Sequence, residues 1–347
     1  MSIREVARKA GVGIGTVSRV LNGRASVSAE VQRRVLEVVK ELRYTPNEHA
    51  RRMWKGRANT ICFLLANRQI LLSLHGHIFR GVEEFCGVNG YSVLFTTFRY
   101  SPHTPPEELE LPPILKAKGV VDGVILGGVN YPNLLERMEA YRIPYSVFGN
   151  NLVDDGAPRT KSVMFEDGDG AEQAVEHLIR LGHRDIWFVG HTAWPWNRRR
   201  YDSYSRIMRR HRLEPRAIVE GLAQAGHELG LQAARRILEA SEPATAVFAA
   251  SDYIACGVIE AATRMGRRVP EDLSVVGFDA LDEFAYYRPR ITSVGTDKEK
   301  IGEYCALLVI RQAEGEETGD QSTVRIPMHL VEGESCAPPA QTRVKTD

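Results

Sequence analysis

The sequence predicts an α/β protein in which a small all-helical N-terminal head precedes a two-lobed body of doubly wound parallel sheets. The length of 347 residues exceeds one domain of roughly 150 residues. The first 57 residues carry a large positive charge, whereas the rest of the chain is acidic. From about residue 60 onward, short apolar runs alternate with helical patterns, as repeated strand-helix-strand units require.

The charge is divided unevenly along the chain. Residues 1–57 contain 13 Lys and Arg against 5 Asp and Glu, and the remainder contains 32 against 39. A basic segment of this kind is typical of a polyanion-binding surface, with nucleic acid as the leading candidate and an anionic membrane as the alternative. No apolar run approaches the roughly 18 residues of a membrane span. The first residues also lack a signal-peptide pattern, and the five cysteines form no C-x-x-C. We therefore expect a cytoplasmic, nucleoid-associated protein with no membrane partner.

Three short helices are predicted within residues 1–46. Ser2 and Glu5 form a capping box at the start of the first helix, and Gly11 ends it. A second apolar pattern follows the glycine-containing turn, and a third begins after Ser28 and ends before Pro46. Two short helices joined by a tight glycine turn predict a helix-turn-helix.

These residues resemble the LacI/GalR (lactose repressor) family of bacterial transcription regulators. The resemblance is carried by IREVARKAGVGIGTVSRVLNG and by the VSAEVQRRVLEVVKELRYTPN that follows, and it extends over essentially the whole chain. It implies a head that binds double-stranded operator DNA, a periplasmic-binding-protein-like body that binds a small-molecule effector, and a homodimer.

The resemblance places the second helix in the major groove, with Ile14, Gly15 and Arg19 at the base-reading positions. An arginine there can bond guanine bidentately, and an isoleucine can contact a thymine methyl. Short polar side chains suit phosphate contacts, and we assign these to Thr16, Ser18 and Asn22. The alternative for Thr16 and Ser18 is ordinary helix surface.

Residues 47–59 are predicted to join head and body. By resemblance they contain the hinge helix, which orders when two copies meet on DNA and insert an apolar wedge into the minor groove. Ala50 and Met53 are the predicted DNA contacts, with Met53 at the wedge position, where leucine is usual in the family. The alternative is a solvated basic linker.

The body is predicted over residues 60–340. Seven β-rich runs without clean alternation indicate strands buried on both faces, at 61–66, 91–97, 122–128, 145–149, 185–190, 245–250 and 273–278. We assign residues 60–160 and 292–322 to the first lobe, and residues 161–291 and 323–340 to the second.

Ligands of such sheets bind beyond the carboxyl ends of the strands, so the cleft between the lobes is the expected pocket. By resemblance, Arg200, Asp279 and Ser251 with Asp252 contact the effector, and Trp194 and Trp196 lie where relatives vary their contacts. From the opposite lobe we expect Leu74, His75 and Asn150. Alternatively, the two aspartates cap helices and the two tryptophans pack in the core or at an interface.

Tryptophan beside arginine and aspartate favours a ligand with an apolar face and several hydroxyls, so a sugar or sugar derivative is the expected effector. A solute-binding protein of a sugar transporter is the alternative, but it predicts a signal peptide and no basic head. No nucleophile elbow, phosphate loop or metal-binding histidine spacing occurs in the sequence. We therefore expect a transcription regulator, with repression as the expected mode, and no cofactor, metal or catalytic residue.

Overall fold

The computed structural model describes residues 2–21, 27–44, 57–68, 73–117, 119–153, 161–219, 226–240, 244–316 and 323–340. Two compact units, a helical head and an α/β body, meet in the sequence at Asn59 and Thr60. Within the described residues, none of the helices has the length and apolar composition needed to cross a membrane.

The head contains the predicted helix-turn-helix. Helix α1 spans Ile3–Ala10, α2 spans Ile14–Leu21 and α3 spans Ala29–Glu41. The Ser2 amide donates to the Glu5 carboxylate over 2.8 Å, and α1 ends at Gly11, whose φ of 64° is left-handed. Short helices of this kind need a shared core. That core consists of Val6, Ala7, Ala10, Val17, Val20, Val35 and Val38.

The body alternates strands and helices along the chain. In order these are β1 Thr60–Ala66, α4 Ser73–Val88, β2 Ser92–Phe98, α5 Pro113–Lys116, β3 Gly123–Gly128, α6 Pro132–Ala140, β4 Tyr145–Phe148, β5 Ser162–Phe165, α7 Asp167–Arg180, β6 Ile186–Val189, α8 Pro195–Arg210, β7 Arg216–Ile218, α9 Gly226–Leu238, β8 Ala246–Ala249, α10 Asp252–Arg264, β9 Ser274–Val276, β10 Ser293–Thr296, α11 Lys298–Glu314, β11 Thr323–Ile326 and β12 Met328–Val331. Short 3-10 helices lie at Pro106–Glu108, Gly149–Asn151 and Asp282–Phe284.

Two parallel sheets form the two lobes. The first-lobe sheet has the order β11-β5-β4-β3-β1-β2, and the second-lobe sheet has the order β7-β6-β8-β9. A separate antiparallel pair is formed by β10 and β12. Strands β1, β3, β4 and β8 are buried along their whole length, as expected for strands with helices on both faces. The strand order reverses between β1 and β3 and between β6 and β8, and these are the places where open sheets bind ligands.

The division of the lobes differs from the one drawn from sequence. Strands β5 and β11 fall in segments assigned to the second lobe, yet β5 pairs with β4 and β11 pairs with β5 in the first-lobe sheet. The chain therefore leaves the first lobe after Phe165 and returns to it with α11, which packs on α4, before β11 completes the first-lobe sheet. Neither strand was predicted, because the apolar run of β5 is only three residues long and β11 alternates polar and apolar residues.

Glycines allow two helix pairs to pack with their backbones in contact. Gly81 on α4 faces α11, and Gly302 on α11 faces α4; a Cβ on either would overlap backbone atoms of the opposite helix. Gly230 and Gly257 play the same part between α9 and α10 in the second lobe.

We predict that Gly302→Ala lowers the free energy of unfolding by about 1–3 kcal/mol, because the two helices must move apart to admit the methyl group. Gly87→Ala on α4 is the control, since nothing lies within 4 Å of a Cβ there. Urea unfolding of both variants measures the difference. Equal stabilities would contradict the proposed close contact.

Candidate functional site

A cavity of about 600 Å³ lies beyond the carboxyl ends of the strands of both lobes. This volume is within the range of about 300–1,000 Å³ that small-molecule sites occupy. The predicted residues that line it are Leu74, His75, Trp194, Trp196, Arg200, Ser251 and Asp279. Those that were not predicted include Asn67, Arg68, Val129, Asn151, Phe165, His191, Asn197, Tyr253 and Leu281.

Arg200 lies at the base of this cavity with only 3% of its surface exposed. Its Nε donates to Asp167 Oδ1 over 3.0 Å, and its Nη2 donates to Asp279 Oδ1 over 3.0 Å. Its Nη1 donates to the Ala250 carbonyl oxygen over 2.6 Å. The guanidinium carbon lies 3.7 Å from the centre of the Phe278 ring. Arg200 is therefore fixed by charge-assisted hydrogen bonds on three sides.

Asp167 connects this arginine to the first lobe. It is the first residue of α7, which follows β5, and it also accepts from Arg199 Nε over 2.8 Å. Asn150 donates to Asp167 Oδ2 over 2.7 Å and to the Phe165 carbonyl oxygen over 2.9 Å. Asn150 is fully buried and does not line the cavity. Its side-chain amide is hydrogen-bonded within the protein, where it holds Asp167 in position.

Asp279 occupies a constrained turn after β9. Its φ is 94° and that of Ala280 is 43°, a left-handed conformation that non-glycine residues seldom adopt. Burial raises the pKa of Asp279, and the charge of Arg200 opposes this rise. Strained backbone of this kind clusters at functional sites, where the surrounding structure holds it in place.

Asp252 does not line the cavity but supports that turn from below. It is buried, and it accepts from Ser293 Oγ over 2.6 Å and from the Leu281 amide over 2.7 Å. Ser251 reaches the cavity and also caps α10, because its Oγ accepts from the Ile254 amide. The cap of this helix is therefore Ser251, whereas capping is the alternative predicted for Asp252 and Asp279.

The two predicted tryptophans stack on each other at the cavity wall. The ring centroids of Trp194 and Trp196 are 4.9 Å apart with an interplanar angle of 14°. Trp194 is the N-cap residue of α8 and Trp196 lies in its first turn, close in sequence to Arg200. One face of each ring packs against the other ring, so the two side chains together form an aromatic wall of the cavity.

The first lobe contributes Arg68 and His75. Asn67 and Arg68 follow β1 directly, and His75 lies in the first turn of α4 with 2% of its surface exposed. Burial and the nearby charge of Arg68 lower the pKa of His75 to about 3, so its ring is neutral at physiological pH. The position of Arg68 just after β1 is the signal that could have identified it, because ligands of such sheets bind beyond the ends of the strands.

The recognition helix of the head presents the predicted side chains to solvent. In α2, Val17 and Val20 are buried in the head core, whereas Ile14, Gly15 and Arg19 are exposed. Thr16 and Ser18 are half-buried beside them. The predicted contacts Asn22, Ala50 and Met53 lie outside the described residues.

A helix-turn-helix head joined to a two-lobed body with a ligand-sized cleft defines the class of ligand-responsive DNA-binding proteins. Residues 2–47 match the model of the bacterial regulatory proteins of the lacI family, and residues 175–336 match the periplasmic binding protein-like domain.

Named relatives and solved structures match along almost the whole chain. Catabolite control protein A of Priestia megaterium is 31% identical over 96% of this chain and 98% of the relative. The HTH-type transcriptional repressor PurR of Edwardsiella ictaluri is 30% identical over 97% of both. The lac repressor dimer bound to operator and the anti-inducer ONPF has a TM-score of 0.83, with 25% identity over 97% of this chain and 99% of that one. The transcriptional regulator CelR-cellobiose complex has a TM-score of 0.69, with 28% identity over 96% and 99%.

The chain belongs to the lacI family of bacterial regulatory proteins. It is a DNA-binding transcription regulator with an effector-binding body. In the part of the chain that the structure describes, no group of three or more His, Cys, Asp or Glu side chains is arranged to hold a metal ion.

We predict a pH-dependent stability that originates at Asp252, because burial raises its pKa from 3.8 to about 7. The folded protein then binds this proton more tightly than the unfolded chain does. The stabilisation is complete below the unfolded-state pKa and is lost as the pH rises from about 4 to about 7. In Asp252→Asn, this part of the decline should disappear.

Urea unfolding from about pH 5 to about pH 8 measures this difference, since most of the decline falls in that window. Asp202→Asn on the exposed face of α8 is the control, and it should follow the wild-type curve. Parallel curves for wild type and Asp252→Asn would rule out Asp252 as the source.

Proposed function

We propose that the protein is a homodimeric repressor that binds a pseudo-palindromic operator and responds to a sugar or sugar derivative bound in the cleft. The exposed face of α2 is the observation that supports DNA binding. Val17 and Val20 of this helix are buried in the head core, whereas Ile14, Gly15 and Arg19 lie on its outer face. Two such heads present two half-sites, which is why a symmetric operator is expected. The solved lac repressor dimer bound to operator supports this arrangement.

The chemistry of the cleft supports a sugar effector. The stacked Trp194 and Trp196 offer an aromatic wall, and Arg200 and Asp279 offer buried charged groups that suit hydroxyls. The CelR-cellobiose complex shows that this architecture accommodates a sugar in a relative. The carboxylates that surround the cleft are paired with arginine or hydrogen-bonded within the protein, so we propose that the cleft binds its ligand without catalysis. We also propose that the protein acts in the cytoplasm, where the DNA lies.

We further propose that the ligand changes the relative placement of the lobes and thereby the contact of the hinge residues Ala50 and Met53 with DNA. Such coupling is reciprocal, so operator DNA must change the affinity for the effector by the same factor. An effector affinity that is unchanged by operator DNA would exclude this coupling.

In vitro selection of duplex DNA by the purified protein tests the DNA-binding proposal. A symmetric consensus is expected, and Arg19→Ala should lose about 1–3 kcal/mol of discrimination at one base pair of each half-site. Arg34→Ala, at an exposed position on α3, removes the same charge and should leave the base preference unchanged. An Arg19→Ala protein with the wild-type preference would exclude base reading by Arg19.

We predict that Arg200→Ala abolishes the effector response but keeps operator binding. The substitution leaves Asp279 buried without its arginine, so the body should also lose about 3–5 kcal/mol of stability. Isothermal titration with the effector and fluorescence anisotropy with operator DNA separate the two effects. Arg206→Ala, at an exposed position on the same helix, is the control. An unchanged effector isotherm would remove Arg200 from the site.

A further inference from the structure

Two buried hydrogen-bond donors on the first-lobe wall of the cleft have no partner among the residues that the structure describes. Among the described residues, neither Arg68 Nε nor His75 Nδ1 is hydrogen-bonded, and each is shielded from solvent. His75 Nε2 lies 3.2 Å from Asn151 Nδ2 and accepts from it, so the imidazole proton resides on Nδ1. An unsatisfied buried donor costs about 1–3 kcal/mol. Both residues line the cavity, so an acceptor supplied by a bound ligand would relieve this cost.

The charges around the cleft leave a cation in excess. Asp167 is shared between Arg199 and Arg200, and Asp279 is hydrogen-bonded to Arg200. Arg68 is close enough to Asp279 to interact with its charge, but the two side chains form no ion pair. Lys298 adds a further positive charge near Asp279, and Asp252 adds a third carboxylate there. Three arginines and one lysine are thus set against three carboxylates. The excess positive charge around the cleft would be balanced by an anionic ligand.

The position of the excess charge is specific to the first lobe. Three nitrogens of Arg200 are already committed, and Asp279 beside it repels a second anion. Within the described part of the chain, Arg68 has no such carboxylate in hydrogen-bond contact. A second cavity shares Asn67 and Arg68 with the cleft and adds Arg99, which extends the positive potential outward along the same wall.

We propose that the effector carries an oxyanion, a carboxylate or a phosphate ester, that accepts hydrogen bonds from Arg68 and His75. The rest of the ligand then extends toward the stacked tryptophans of the second lobe. An oxyanion suits both donors, because arginine binds carboxylate and phosphate oxygens in a forked geometry and a neutral imidazole N–H adds a third bond. The inference rests on the proposed function and narrows its effector to acidic or phosphorylated sugars.

The test uses the full-length protein with three matched sets of ligands: neutral hexoses, the corresponding uronates and aldonates, and the corresponding 6-phosphates. Thermal shift finds the binding set, and isothermal titration gives Kd. We expect the charged members to bind, with the carboxylate and phosphate sets distinguishing the two sources of the oxyanion. Arg68→Gln should weaken the charged ligand about tenfold to a hundredfold, the usual range for a hydrogen bond to a charged group.

Arg209→Gln, an exposed arginine at the end of α8, carries the same charge change and should bind as the wild type does. His75→Phe should also weaken binding of the charged ligand, because it removes the ring N–H while keeping an aromatic ring at this position. A wild-type protein that binds only neutral sugars, that binds no charged sugar, or that loses nothing on Arg68→Gln overturns the inference.

The proposed function fails separately. Each ligand that binds is added to the complex with the selected operator, and its effect on the operator Kd is measured by anisotropy. A neutral sugar that changes the operator Kd keeps the regulatory function and overturns the anion site. A charged sugar that binds through Arg68 without changing the operator Kd keeps the anion site and overturns the regulatory function.

Discussion

The buried charge cluster of Asp167, Arg200 and Asp279 is the interaction on which the cleft depends. Its members come from three places in the chain: the start of α7 next to the first-lobe sheet, helix α8, and the turn after β9. Removing charges from water is costly, and a buried charge that loses its partner destabilises a protein by about 3–5 kcal/mol. The three side chains are therefore stable only as a set, and the set fixes the cleft ends of these elements relative to one another.

The strained turn at Asp279 follows from this requirement. Its left-handed backbone aims the carboxylate at Arg200, and neighbouring groups hold the turn in that conformation. The Ala280 amide donates to Ser293 Oγ over 3.1 Å, Lys298 Nζ donates to the Ala280 carbonyl oxygen over 2.9 Å, and Asp252 accepts from the next amide. Asp252 thus supports Asp279 by holding the turn in place, although Asp252 itself does not line the cavity.

The sequence predicted the long-range plan of the fold well and its short elements poorly. Runs of six or seven mostly apolar residues marked β1, β3 and β8, because both faces of these strands are covered. The segments around β5, β7 and β11 contain no run of that length. The same limit applies to the site. Arg200 and Asp279 follow the recognisable apolar runs at 185–190 and 273–278. The position of Asn150 depends instead on its contact with Asp167, which is distant in sequence.

An effector that shifts the lobes must interact differently with their two arrangements, because equal affinity for both would shift nothing. A ligand held only by the tryptophans would contact the second lobe alone and would be insensitive to the position of the first. The unpartnered Arg68 and His75 donors lie on the first lobe, whereas Trp194, Trp196 and Asp279 lie on the second. A ligand with an oxyanion at one end and a ring at the other spans the cleft, so its binding free energy depends on the distance between the lobes. The two ends of the cleft therefore supply the differential contact that allosteric control of the head requires.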